Sequence, residues 1–194
     1  MATSNAAEED GTPEAKESDA TEPPTSILDF KVKDIDGKEV KLGDKYKGKV
    51  LVVVNTASKC GYTPQYTDLE TIYKKYHEQG LEVLAFPSND FGGQEPGTET
   101  EIKYFCSTKY NVTFPLFAKM PVKGEGKSPL YRFITDEKAN PKTGGEIKWN
   151  FTKFLVNRNG EIIARYESAV KPTDESVAQA IEKALAEKTA PARR

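Results

Sequence analysis

An α/β sandwich, with a mixed central β-sheet flanked by helices, is the fold that this chain predicts. Three observations predict it. Two short apolar runs, residues 50–56 (VLVVVNT) and 81–86 (LEVLAF), are separated by a stretch of helical period. A hairpin signal at Asn159-Gly160 follows later. An amphipathic segment then closes the chain. Strands alternating with helices and ending in an antiparallel pair make a mixed sheet covered by helices.

The elements follow in order. A short strand at residues 30–33 turns at Asp36-Gly37 and pairs back over 38–42, an N-terminal β-hairpin. The run 50–56 is β-branched and apolar throughout, as a buried strand is. Thr63 can cap the next helix, with Pro64 in its first turn and Tyr66, Leu69, Ile72, Tyr73 and Tyr76 on one face. That helix stops near Gly80, and 81–86 is the second strand. The loop 87–97 (PSNDFGGQEPG) is rich in turn formers. Thr98 and Glu101 make a capping box for a helix reaching about Lys109. Residues 114–117 read as a short strand and 129–136 as a modest helix. Residues 151–156 and 161–166 are the hairpin strands joined at Asn159-Gly160. Thr173 caps the last helix, whose apolar face is Val177, Ala180, Ile181, Ala184 and Leu185.

Composition divides the chain. Residues 1–25 hold seven acids, one lysine, no aromatic residue and no Ile, Leu or Val. Such a segment cannot bury enough apolar surface to offset its ordering entropy, so an acidic disordered tail is expected. One domain is expected over 26–188, and 189–194 should fray. The whole chain carries −2 and the tail −6, which leaves the rest at +4. That mild excess does not argue for nucleic acid. No apolar stretch approaches the ~20 residues that span a bilayer, so no membrane insertion is expected. The tail lacks the marks of a secretory or mitochondrial leader. Cys60 and Cys106 are the two cysteines, no CxxC exists, and His77 is the single histidine, so no metal site and no cofactor are expected. Two cysteines without an export signal suggest a reducing, cytoplasmic setting and thiol chemistry; a structural disulfide is the alternative.

Cys60 is the most informative residue. It lies between the strand 50–56 and the helix that opens at Thr63-Pro64. The positive end of a helix dipole and nearby backbone N–H groups favour a thiolate there, and the thiolate is the nucleophile. The plainer alternative is a small, inert core cysteine. A reactive cysteine at the first helix of this α/β arrangement is thioredoxin-like. The position three residues on is Thr63 rather than cysteine, which disfavours a CxxC exchanger.

Four stretches carry a resemblance: VNTASKCG at 54–61, LAFPSNDF at 84–91, GQEPG at 93–97 and KWNFTKFLV at 148–156. In this order and spacing they resemble the glutathione peroxidase family over about residues 30–185. The resemblance implies a thioredoxin-like thiol peroxidase for hydrogen peroxide and organic or lipid hydroperoxides. Cys60 matches the peroxidatic position, and Gln94, Trp149 and Asn150 match its polar partners. The chemistry suits these residue types, because amide and indole N–H groups donate to an anion without carrying charge. Core tryptophan, loop glutamine and turn asparagine are their plain alternatives. Cys106 matches the resolving cysteine of non-selenium members, which attacks the sulfenic acid to form an intramolecular disulfide. That type implies thioredoxin or a related dithiol protein as reductant. Glutathione as reductant, or a peroxide sensor passing oxidation to a partner, are the alternatives. The short segment between Asp136 and Trp149 implies a monomer or weak dimer. Lys148 and Lys153 are candidates for docking the reductant, with solvated lysines as the plain reading. Two departures stand out. Ser88 replaces a third cysteine common among relatives. Asp90 replaces a glutamine, and its carboxylate is expected to turn away from Cys60 into turn contacts.

Overall fold

The computed structural model describes residues 22–188. Most of the expected acidic tail, residues 1–21, and the expected frayed end, 189–194, lie outside the described residues. The elements are β1 (Lys31–Lys33), β2 (Glu39–Lys41), α1 (Leu42–Tyr46), β3 (Val50–Thr56), α2 (Gln65–Tyr76), β4 (Leu81–Pro87), α3 (Glu99–Tyr110), α4 (Pro129–Thr135), β5 (Lys153–Val156), β6 (Ile162–Tyr166) and α5 (Glu175–Ala186). β1 and β2 form the expected antiparallel hairpin. The main sheet runs β4-β3-β5-β6, with β3 and β4 parallel and the other pairs antiparallel. This is the expected thioredoxin-like fold.

β3 is buried on both faces because its alternate side chains enter two cores. Val50, Val52 and Val54 meet Tyr66, Leu69 and Ile72 of α2, Val177 and Ile181 of α5, and Ile102 and Cys106 of α3. Leu51 and Val53 meet Leu42 and Tyr46 of α1 and Leu130, Tyr131 and Ile134 of α4. Helices on both faces bury the sheet, and β3 ends at the site under its own loop.

The departures from expectation have local causes. α1 was unforeseen: Leu42, expected as the end of a strand, starts a five-residue helix that buries Leu42 and Tyr46 on one face. Residues 114–117 make isolated bridges rather than a strand, because Pro115 cannot donate and only its carbonyl serves Ala85. The segment still joins hairpin to sheet through Ile35 N–H on Leu116 O and Phe117 N–H on Ala85 O. The expected strand at 151 begins two residues later, since Phe151 sits at φ 61°, outside extended geometry. Asp174, not Thr173, holds the N-cap of α5, and the Thr173 hydroxyl donates instead to Asp68 Oδ1 at 3.0 Å.

Candidate active site

Cys60 lies in the connection between β3 and α2, where the chain makes successive tight turns. Thr63 N–H bonds Cys60 O, Gln65 N–H bonds Tyr62 O, and Tyr66 N–H bonds Thr63 O, all within 3.1 Å. These turns delay α2 to Gln65, so Thr63 does not cap it. The Thr63 hydroxyl accepts the Cys60 N–H at 2.9 Å and donates to Ala57 O at 2.8 Å. Both contacts are buried, so one side chain closes the loop around the cysteine. Cys60 itself is 8 % exposed, at the lip of the core rather than deep within it. Its sulfur accepts the Tyr62 N–H at 3.4 Å.

The loop after β4 brings Gln94 alongside. Gly92 and Gly93 both adopt left-handed φ, +64° and +62°, which turns the chain sharply and lets the Gln94 side chain fold over Gly92. Gln94 O accepts Lys59 N–H at 3.0 Å, tying this loop to the residue before Cys60. Asn150 Nδ2 donates to Gln94 Oε1 at 2.9 Å. That bond commits the Gln94 carbonyl, and among the described residues its NH2 group has no acceptor. Asn150 is fully buried, and its own carbonyl accepts from the Ser168 hydroxyl at 2.6 Å.

Trp149 and Asn150 are presented by a strained bend. Phe151 is held left-handed by its N–H bond to Asn55 O at 2.7 Å and by edge packing of its ring on Tyr66. A non-glycine residue in this region costs roughly 1–3 kcal/mol and persists only where its surroundings enforce it. Asn55 also donates to Trp149 O at 3.2 Å. The indole packs on Phe91 and stays 38 % exposed, on the rim of the site. Gln94, Trp149 and Asn150 therefore gather at the loop that carries Cys60. Among the described residues the donor that reaches the Cys60 sulfur is Tyr62 N–H.

Cys106 lies fully buried on α3, facing the same core as Cys60, and both thiols are free. Burial pushes the Cys106 thiol up to about 11, partly offset by the facing Tyr66 hydroxyl. Lys148 is exposed beside Trp149. Lys153 departs from expectation: it is 2 % exposed, and its ammonium donates to Gln65 Oε1 at 2.9 Å and to the carbonyls of Glu167, Ser168 and Val170. It ties β5 to α2 and to the 167–170 loop and is not available for docking. Burial pushes it down to about 8. The Asp90 carboxylate is engaged by the backbone of another loop, accepting Val122 N–H at 2.6 Å and Lys123 N–H at 3.0 Å. Ser88 is buried at the end of β4. Thr63 and Phe151 were not foreseen as parts of the site, since one looks like a helix cap and the other like strand.

Known proteins share this sequence pattern and fold. The family model for glutathione peroxidase matches residues 27–135. Hydroperoxy fatty acid reductase gpx1 of Synechocystis sp. is 50 % identical over 165 residues, covering 82 % of this chain and 96 % of that protein. The crystal structure of T. cruzi GPX1 superposes with a TM-score of 0.65 at 35 % identity, covering 82 % of this chain and 96 % of that one. A thiol:disulfide interchange protein of the thioredoxin family from Chlorobium tepidum matches in fold alone, with a TM-score of 0.58 at 19 % identity over 86 % of this chain and 99 % of that one.

Proposed function

This chain belongs to the glutathione peroxidase family, and we propose that it reduces hydroperoxides through the Cys60 thiolate, with Cys106 resolving the oxidised sulfur. The observation that carries the reading is the loop itself. Cys60 is clamped by Thr63 and accepts a backbone N–H at sulfur, the preceding Lys59 N–H is tied to Gln94 O, and Gln94 is bonded to Asn150 beside the exposed Trp149 indole. In the first step the sulfur attacks the terminal peroxide oxygen, the O–O bond breaks, and a proton from solvent completes the departing alcohol or water. Cys60 becomes a sulfenic acid. Gln94 and Trp149 donate to the peroxide oxygens as charge moves onto the leaving oxygen, the logic of an oxyanion hole.

In the second step Cys106 attacks the sulfenic sulfur and water leaves. The bond needs the two Cα atoms about 4.4–6.8 Å apart, and we take α3 to reach that range by opening locally. Its construction favours this. Of its twelve residues only Ile102 and Cys106 are buried, and an exposed Lys103–Asp36 ion pair holds its outer face. Such pairs contribute little, and weakly anchored helices open locally. Opening also wets Cys106 and restores its reactivity. A dithiol protein of the thioredoxin type then reduces the disulfide, with Lys148 on the docking rim.

An open rim suits bulky substrates, and the Synechocystis relative's name points to fatty acid hydroperoxides. No helix among the described residues is long and apolar enough to cross a membrane. A cytoplasmic monomer or weak dimer is the expected form. The test is peroxide-dependent NADPH oxidation in two coupled assays, one with thioredoxin and its reductase, one with glutathione and its reductase. Turnover with thioredoxin at least about tenfold above glutathione supports the dithiol reading. The reverse order overturns it, and steady turnover with neither, alongside trapped mixed disulfides, points to a relay.

A further inference from the structure

Glu95 is buried to 1 % exposure one residue past Gln94, and the chemistry above makes no use of it. Its backbone is fixed, with its N–H on Asn89 Oδ1 at 2.9 Å and its carbonyl taken by the Lys119 ammonium at 3.3 Å. Its side chain is not. Ser58 faces the carboxyl with its hydroxyl and its N–H, but among the described residues neither carboxylate oxygen completes a well-formed hydrogen bond. An interior carboxyl with so little hydrogen bonding is a liability, since burial disfavours its charged form. Burial pushes the Glu95 carboxyl upward, against the pull of Ser58, Lys119 and Lys59.

The position of the group explains its retention. It lines a cavity of about 360 Å3 whose other walls include Ser58 and Lys59, from the Cys60 loop, and Ile102 and Phe105, from the Cys106 helix. The charge of Glu95 is also felt at Cys106 and at the Tyr66 hydroxyl, which faces Cys106 and Thr56. The carboxyl therefore sits between the element carrying one thiol and the element carrying the other, beside the space into which α3 would open.

We propose that Glu95 is the proton carrier of disulfide closure, taking the proton of the Cys106 thiol and returning it to the hydroxyl that leaves Cys60. This rests on the reading of Cys106 as the resolving thiol. The step balances without a further reactant. As the Cys106 sulfur bonds to the Cys60 sulfur, its S–H proton passes to the Glu95 carboxylate. The Cys60 S–O bond breaks, and the departing oxygen takes the proton from Glu95 and leaves as water. Cys106 is oxidised and the sulfenic sulfur reduced. The groups that set the proton affinity of Glu95 are Ser58 and Lys59 on the Cys60 loop and Lys119 on the segment before α4, while Tyr66 on α2 and Cys106 on α3 feel its charge and Glu101 of α3 lines the same cavity.

The experiment follows one turnover of the full chain with one equivalent of hydrogen peroxide, quenched at intervals from pH 5 to 9 and read by intact mass. Native protein, Glu95→Gln and Glu95→Asp are compared. In Glu95→Gln the sulfenic acid forms but closes to the disulfide roughly 10- to 100-fold more slowly, the range of general acid–base assistance. Closure in this variant then follows pH without the native inflection, and Glu95→Asp recovers part of the rate and the inflection. Closure at the native rate and pH profile in Glu95→Gln overturns the proposal, as does equal slowing in both variants with the native profile kept. If Glu95→Gln does not fold, Glu95→Asp decides: a shifted inflection supports the role and an unmoved one overturns it. Native protein that never forms the Cys60–Cys106 bond removes the resolving role itself, a different failure from a native bond that ignores Glu95.

Discussion

Thr63→Val isolates what holds the reactive loop. Valine has nearly the shape of threonine and keeps the buried methyl packing, so the change removes a hydroxyl and little else. The hydroxyl accepts the Cys60 N–H at 2.9 Å and donates to Ala57 O at 2.8 Å, and the residue is 4 % exposed. Water has little access to replace either bond. An orphaned buried backbone group costs about 1–3 kcal/mol, so two give about 2–5 kcal/mol after partial relaxation. For a chain of this size each kcal/mol moves the melting temperature by about 2–4 °C, which predicts a fall of roughly 4–20 °C. Thr63→Ser keeps both bonds and loses only a methyl, so it falls by about 1 kcal/mol. The loop also positions the sulfur, so peroxide consumption by reduced Thr63→Val protein slows by about tenfold or more. The assays are urea unfolding and stopped-flow Trp149 fluorescence after mixing with hydrogen peroxide. A Thr63→Val protein within about 0.5 kcal/mol of native and oxidised at the native rate refutes the reasoning.

Cys106→Ser halts after the first step: intact mass gains one oxygen and stays there, whereas native protein loses two hydrogens, and thioredoxin-coupled turnover falls below about a tenth of native. Lys153 bears on alkaline stability. Burial lowers it to about 8 in the fold from 10.5, so the unfolded chain binds more protons between these values and this group's contribution to stability rises with pH across that window. In paired urea titrations native protein gains up to about 3 kcal/mol on Lys153→Met from pH 7.5 to 10.5, and no gain contradicts the assignment. Asp90→Ala frees Val122 and Lys123, loosening that loop by about 1–3 kcal/mol, while the first-step rate stays within about twofold; a larger rate effect would place its charge close to Cys60.

The fold was legible where one signal acted alone. The β-branched run of β3, the capping box of α3 and the Asn-Gly turn between β5 and β6 each specify their element locally. Failures occurred where tertiary contacts override the local pattern. Phe151 looks like the start of a strand, but Asn55 O and Tyr66 hold it left-handed, and that bend presents Trp149 and Asn150. Thr63 carries a cap's chemistry and spends it on Cys60 and Ala57 instead. Lys153 resembles a surface lysine because its acceptors come from carbonyls at 167, 168 and 170, which no spacing of side chains announces. The motifs pointed to Cys60, Gln94, Trp149 and Asn150, whereas the placement of the Gln94 loop comes from backbone turns at Gly92 and Gly93.

The central claim is that one sulfur, Cys60, takes the oxygen from a hydroperoxide. Mixing reduced protein with excess fatty acid hydroperoxide, without any reductant, and measuring the alcohol released per chain tests it most directly. The account predicts a rapid release of one alcohol per chain that then stops, and none with Cys60→Ser. Native-rate release from Cys60→Ser protein would contradict it.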